Sequence, residues 1–200
     1  MASRRCVHGY TVGFVITILG LQDLFPLLVR RDRATLVTVL RFWAVVLVAN
    51  LVGTALFAVL LSRPGLFPPA VQTTLGALAK TSVDGVFLVT LQRAVLAGWL
   101  IALMAWMLPS ARSARFFVIL LLTYVAALCS LPHVVAGSVE SAYAVLTGTA
   151  SIAQYFGDFL LPTLIGNTVG DVALVAMLNH ALLAEELKPD RAERSGPPEQ

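Results

Sequence analysis

Charge is scarce in this chain. Only 12% of its 200 residues are Asp, Glu, Lys or Arg, where an average soluble domain carries roughly a quarter. That shortage, with 58% hydrophobic residues and a mean hydropathy of +0.84, excludes an ordinary soluble fold and points to a chain that crosses a bilayer several times. Cysteine is scarce too. Cys6 lies near the start and Cys129 in an apolar run, so neither a disulfide framework nor a cysteine metal site is expected, and both read as unpaired apolar fillers. No HExxH, CxxC, phosphate-binding glycine loop or nucleophile elbow occurs, and no cofactor is expected. Ser130 and Ser138 flank His133, but no pattern supports a hydrolase. The net charge of +3 is no nucleic-acid signal, because the basic residues fall in loops and tail, where topology accounts for them.

What the chain does have is long apolar runs. A helix needs about 20 residues to span ~30 Å of hydrocarbon, and five stretches qualify, at about 9–29, 42–62, 85–108, 116–148 and 159–183. The expected fold is all-α and polytopic, with residues 1–8 ahead of the spans and a tail over 184–200. That tail, AEELKPDRAERSGPPEQ, is too polar to bury and reads as disordered. The start, MASRR followed by GYTVGFVITILGL, imitates a signal peptide, but no small-x-small cleavage site follows, so it reads as a retained span.

The fourth stretch is too long for one crossing and contains Pro132, in LPHVVAGSVE. Proline removes a backbone donor and disfavours helix at the residue before it, here Leu131. Two half-helices meeting near 132 are expected. LGLQDLFPLL, with Gly20, Gln22, Asp23 and Pro26, suggests a similar interruption in the first stretch. Broken helices persist at membrane depth only where protein or a water-filled cavity satisfies the loose backbone groups. Two of them in one small chain point to a transport path. The segment SRPGLFPPAVQTTLGALAKTSVD (62–84) reads as an external loop, and LPSARSAR (108–115) as a short basic turn.

Basic residues set the orientation. Arg30, Arg31, Arg33, Arg41, Arg112, Arg115, Lys188, Arg191 and Arg194 fall on one side, and Arg4, Arg5, Arg63 and Lys80 on the other. The richer side is expected in the cytoplasm, with the C-terminus. Five spans would then leave the Arg-Arg start outside, and one further helix upstream would resolve that conflict. An internal echo points the same way. VVLVANLVGTALFAVLL (45–61) lies over PTLIGNTVGDVALVAML (162–178), with Asn50 on Asn167 and Gly53 on Gly170. Asn and Gly three apart share a helix face, so each helix offers a polar group beside a close-packing notch. The pattern fits a duplicated three-helix unit of the kind transporters use. Chance recurrence of small-residue packing is the plainer alternative.

Three places carry candidate chemistry. His133 follows the break, at the start of the second half-helix, where free N–H groups and the positive dipole end gather and attract an anion. His133, Gly137 and Glu140 then share one stripe, a titratable, a small and an acidic position that suit a pore lining. A histidine hydrogen-bonded to a neighbouring helix, with Glu140 at the headgroup boundary, is the structural alternative. Arg93 and Asp171 are charges inside spans, about nine and twelve residues from the outer ends, or roughly 13–18 Å deep. Each alone costs at least ~2.5–3.5 kcal/mol there, so the two are expected to pair. Lys80 closes the external loop, either as a plain exposed lysine or as part of a funnel that concentrates anions at a pore mouth.

AGWLIALMAW (97–106), LPHVVAGSVE and PTLIGNTVG, preceded in order by LGLQDLF and VANLVGTALF, resemble the formate/nitrite transporter family over about residues 9–183. The resemblance implies an aquaporin-like bundle of six membrane helices with cytoplasmic termini, assembled as a homo-pentamer with one pore per protomer. It implies passage of small monovalent anions such as formate, nitrite or hydrosulfide across the cell membrane, often with a proton. By position, His133 matches the family's central pore histidine. Leu24 and Phe25 match the apolar constriction in its interrupted second helix, and Lys80 its vestibule lysine. An anion is then drawn to a cationic vestibule and meets apolar slits that a bare charge crosses poorly. A proton from the His133 region, which water replaces, neutralises it in transit.

The chain departs from the family pattern at several points. Pro132 stands where the family usually has Glu, Gly98 and Gly137 where it has Asn, and Pro26 where it has Thr. These changes remove hydrogen-bonding groups from around the histidine. The chain also begins where the family's second helix begins. A proton-linked anion channel or transporter is the expected function. A non-conducting assembly paralogue and a neutral-solute channel are the alternatives.

Overall fold

The computed structural model describes residues 33–174 and 177. The span expected at 9–29, with Leu24 and Phe25, and the tail at 184–200 lie outside the described residues. Within them the fold is all-helical, with six helices, α1 to α6, and no strand.

Two helices have membrane length. The first, α1, covers Arg33–Leu61 and contains the apolar stretch Leu40–Leu61, 22 residues long. The third, α3, covers Phe87–Met107, 21 residues. At 1.5 Å per residue each apolar stretch reaches a little over ~30 Å, enough to cross the hydrocarbon. α1 turns Val45, Val48, Val52 and Leu56 outward and buries only small groups such as Thr54 and Ala58. Apolar surface on the outside and small residues inside is the arrangement a lipid solvent favours.

The connection expected as a loop at 62–84 carries a helix instead. α2 covers Pro69–Val83. Proline suits a first helical position, because the N–H it lacks has no intrahelical partner there. Behind it, Leu75, Ala79 and Val83 recur every four residues and form one apolar stripe. Ala79 and Val83 are buried, and Ser82 Oγ lies 3.0 Å from Ser141 Oγ on α5.

The long fourth stretch is two helices. α4 covers Arg115–Leu128, 14 residues, and α5 covers Val134–Leu146, 13 residues. Each is about 20 Å long and cannot span alone. α4 buries no side chain and turns Phe116, Phe117, Leu120 and Leu121 outward.

The last of the described helices, α6, starts at 152, earlier than the expected 159. The reason is a capping box. Ser151 Oγ accepts from the Gln154 N–H at 3.2 Å, and Gln154 Oε1 accepts from the Ser151 N–H at 2.9 Å. α6 then passes through a π-helical turn, Tyr155–Leu160, and continues as α-helix over 161–174.

Two contacts organise the bundle. A core of Ala58, Ala79, Val83, Val134, Tyr143, Ala144, Phe159 and Leu160 forms where α1, α2, α5 and the π turn meet. Separately, α3 and α6 touch backbone to backbone. Gly166 faces Leu91, Ala94 and Val95, and Gly170 faces Val95 and Trp99. A four-residue step along one helix matches a four-residue step along the other in the same sense, so the two run parallel. Any side chain at these glycines would overlap the facing backbone, which is how small residues let membrane helices approach.

Candidate functional site

The break between α4 and α5 is built from ordinary cap chemistry. Ser130 takes a left-handed conformation, φ 50°. Its N–H donates to Ala127 O at 3.0 Å, and the Leu131 N–H donates to Ala126 O at 2.9 Å. That pair of bonds is a Schellman motif, which closes a helix and satisfies its last carbonyls. Pro132 follows and has no N–H to continue the helix. His133 is extended, φ −120° and ψ 134°, and becomes the N-cap of α5. Its carbonyl accepts the first intrahelical bond, from the Gly137 N–H at 2.9 Å.

Asn167 of α6 clamps this break. Its Oδ1 accepts from the Val134 N–H at 3.0 Å. Its Nδ2 donates to Pro132 O at 3.1 Å and to Ala94 O of α3 at 2.9 Å. One N–H on one side and two carbonyls on the other also fix which way round the amide sits. Asn167 is 6% exposed, so a single buried side chain ties the linker, α3 and α5 together. The close packing at Gly98 and Gly166 makes this reach short. A Cβ at Gly98 would stand 2.8 Å from the Asn167 Cα.

With the clamp in place, what remains unpaired is polar and clustered. The N–H groups of Val135 and Ala136, next in line at the start of α5, have no partner among the described residues. The half-buried His133 ring makes no hydrogen bond to any of them either. The alternative of a histidine bonded to a neighbouring helix finds no such bond among the described residues, and His133 is held through its backbone neighbours.

The other candidates divide. Lys80 is exposed in the last turn of α2, and Glu140 is exposed on α5 beside the Ser82–Ser141 contact. Gly137 does not open onto space. A Cβ there would stand 2.6 Å from Cε2 and Cζ of Phe159, so the ring covers it. Among the described residues Asn50 donates only to Val46 O of its own helix, at 2.9 Å.

Arg93 and Asp171 do not pair, which corrects the expectation from sequence. Asp171 Oδ1 is buried without a hydrogen-bond partner, and Arg93 is exposed. The parallel register explains it. Gly166 lies level with Leu91–Val95, which puts Asp171 about five residues, or roughly 7.5 Å, beyond the level of Arg93.

Sequence reasoning also missed Phe159 and Ser82. Nothing local marks either one, because each matters only for what it meets on α5. The capping box in SIAQ was a readable signal for the true start of α6.

A model of the formate/nitrite transporter family matches residues 6–181 of this chain, and the chain belongs to that family. It is a multi-pass membrane protein from a family of transporters, not enzymes. Among curated proteins it is similar to Inner membrane protein YfdC of Escherichia coli strain K12, 33% identical over 195 residues. The match covers 92% of this chain and 62% of that protein, so the chain spans less than two thirds of this relative's length. No solved structure matches.

Proposed function

We propose that this chain forms the path of a channel or transporter for small monovalent anions of the formate and nitrite kind, with a proton handled at His133. The observation that carries this is the chemistry left over at the break. Asn167 accounts for the backbone on both sides of His133. Among the described residues nothing bonds the imidazole and two adjacent N–H groups, which suits them to a solute. Free N–H groups at a helix start attract anions, and imidazole gains and loses a proton near neutral pH more readily than other side chains. Lys80 at the end of α2 supplies the cationic vestibule, and Leu24 and Phe25, which lie outside the described residues, match the family's apolar constriction in sequence. Family membership supports an aquaporin-like bundle assembled as a homo-pentamer. The relative's name supports an inner membrane location, and the excess of basic residues supports a cytoplasmic C-terminus.

A second reading, a non-conducting assembly paralogue, is favoured by one observation: Phe159 fills the Gly137 side of α5. Flux into proteoliposomes separates the two. Formate, nitrite and acetate are offered under a pH gradient to wild type and His133→Ala. The anion path expects uptake that collapses the gradient and falls at least about tenfold in His133→Ala. No uptake by wild type supports the paralogue, and uptake indifferent to His133→Ala removes the histidine from the mechanism.

A further inference from the structure

One carboxyl with a buried oxygen takes no part in the clamp. Asp171 stands one turn after Asn167 on the same face of α6. Along α6, Phe159 meets Gly137 of α5, and Asn167 then meets Val134 and Pro132. The next turn therefore passes the break and draws level with the end of α4, on the opposite side of the clamp from α5. Two side-chain atoms on this face are buried and bond nothing among the described residues, Thr163 Oγ1 and Asp171 Oδ1. The residue before Asp171, Gly170, lies against the α3 backbone at Val95 and Trp99, which pins the helix at this level. The charged or titratable groups on the other elements are Arg93 of α3, His133 of the break, Tyr124 and Cys129 in the last turns of α4, Arg41 of α1 and, beyond the clamp, Glu140 of α5. None of them bonds Asp171, and all but His133 are exposed.

We propose that Asp171 ties each anion held at the break to a proton, a proposal that rests on the anion-path reading above. An ionised carboxyl without a cation is costly at membrane depth, and an anion at the start of α5 adds repulsion. One turn of α6 on one side of the clamp and the free N–H groups on the other put the two charges roughly 10 Å apart. At an effective dielectric of about 20, that repulsion is worth about tenfold in anion occupancy. A proton on Asp171 removes it. The carboxylate takes the proton from water and returns it to water once the anion has left, and no other bond changes. Anion and proton therefore strengthen each other's binding by the same factor. As pH falls Asp171 gains its proton and the anion is held better. As pH rises the charge returns and the anion is held less well. His133 supplies attraction for the anion, and Asp171 makes its stay conditional on a proton.

Formate uptake by the full chain in proteoliposomes, above that of protein-free liposomes, tests this over a series of pH values, with a pH-sensitive dye counting protons. Wild-type uptake falls as pH rises. Asp171→Asn, which cannot ionise, raises uptake about tenfold at the alkaline end, leaves it near wild type at the acid end and carries fewer protons per formate. Asp171→Glu keeps the wild-type profile. His133 gives a dependence of the same sign, so the comparison is repeated with His133→Ala, where Asp171→Asn removes the dependence that remains. Asp171→Ala replaces Asp171→Asn if that protein is not monodisperse. A wild-type profile in the neutral variant, or a loss of uptake equal at every pH, overturns the role of Asp171 and leaves the anion path standing. Uptake that depends on sodium and not on pH overturns the proton in favour of a metal cation. A wild-type chain that moves no formate overturns the anion path, and the role of Asp171 with it.

Discussion

Two helices carry the same motif and use it differently. Asn50 and Gly53 of α1 repeat Asn167 and Gly170 of α6, with the same spacing and matching neighbours. Asn167 bonds three backbone groups in other segments, and Gly170 lies against the α3 backbone. Asn50 bonds one carbonyl in its own preceding turn. No atom of the described residues stands within 4 Å of a Cβ placed at Gly53. The lesson is that an Asn-x-x-Gly face is a capacity. It becomes a clamp only where a broken helix offers loose backbone groups and a second helix lies close enough to brace it.

Substitutions that treat the two copies alike test this difference. The largest effect is expected at Asn167→Ala, which strands Val134 N–H and Pro132 O and takes from Ala94 O its bond to α6. At ~1–3 kcal/mol per stranded buried group the loss is about 2 kcal/mol or more, read as a lower melting temperature of the purified protein in detergent. Gly170→Ala comes next, at about 1–3 kcal/mol, because the added methyl overlaps backbone that cannot rotate away. Asn50→Ala removes one local bond and costs less than ~1 kcal/mol. Smallest and opposite in sign is Gly53→Ala, where the described residues leave the added methyl room and better helix propensity stabilises by roughly 0.5–1 kcal/mol. Equal losses at Asn50 and Asn167 would erase the contrast.

The parts of the fold legible in the sequence are those set by local physics. Apolar runs marked α1 and α3, because length and hydropathy decide what can cross a bilayer. Pro132 marked the break, because a proline at the end of an apolar run lacks the N–H that would continue the helix. Long-range geometry was hidden. Arg93 and Asp171 are both costly at depth, and cost alone suggested a pair, but helix register keeps them apart. Gly137 looked like open pore lining, and nothing near it announces a ring arriving from residue 159. α2 was obscured by its own composition: the Pro68–Pro69 pair at its start and three threonines look like a loop until the apolar stripe beneath them finds α5. His133 lay between these cases. Its position at a helix start followed from the proline, whereas the amide that fixes that start comes from another helix.

The clamp also imposes an order on how the molecule is made. Asn167 lies 33 residues after Val134, the N–H it accepts from. At about 5–20 residues per second of synthesis, the bend waits a few seconds for its partner. Until α6 arrives, α4 and α5 share the bilayer with the Pro132 carbonyl and the Val134 N–H uncovered, a state hydrocarbon tolerates poorly. α6 is therefore the locking piece of biogenesis. A chain cut before it would leave the bend for quality-control proteases to find.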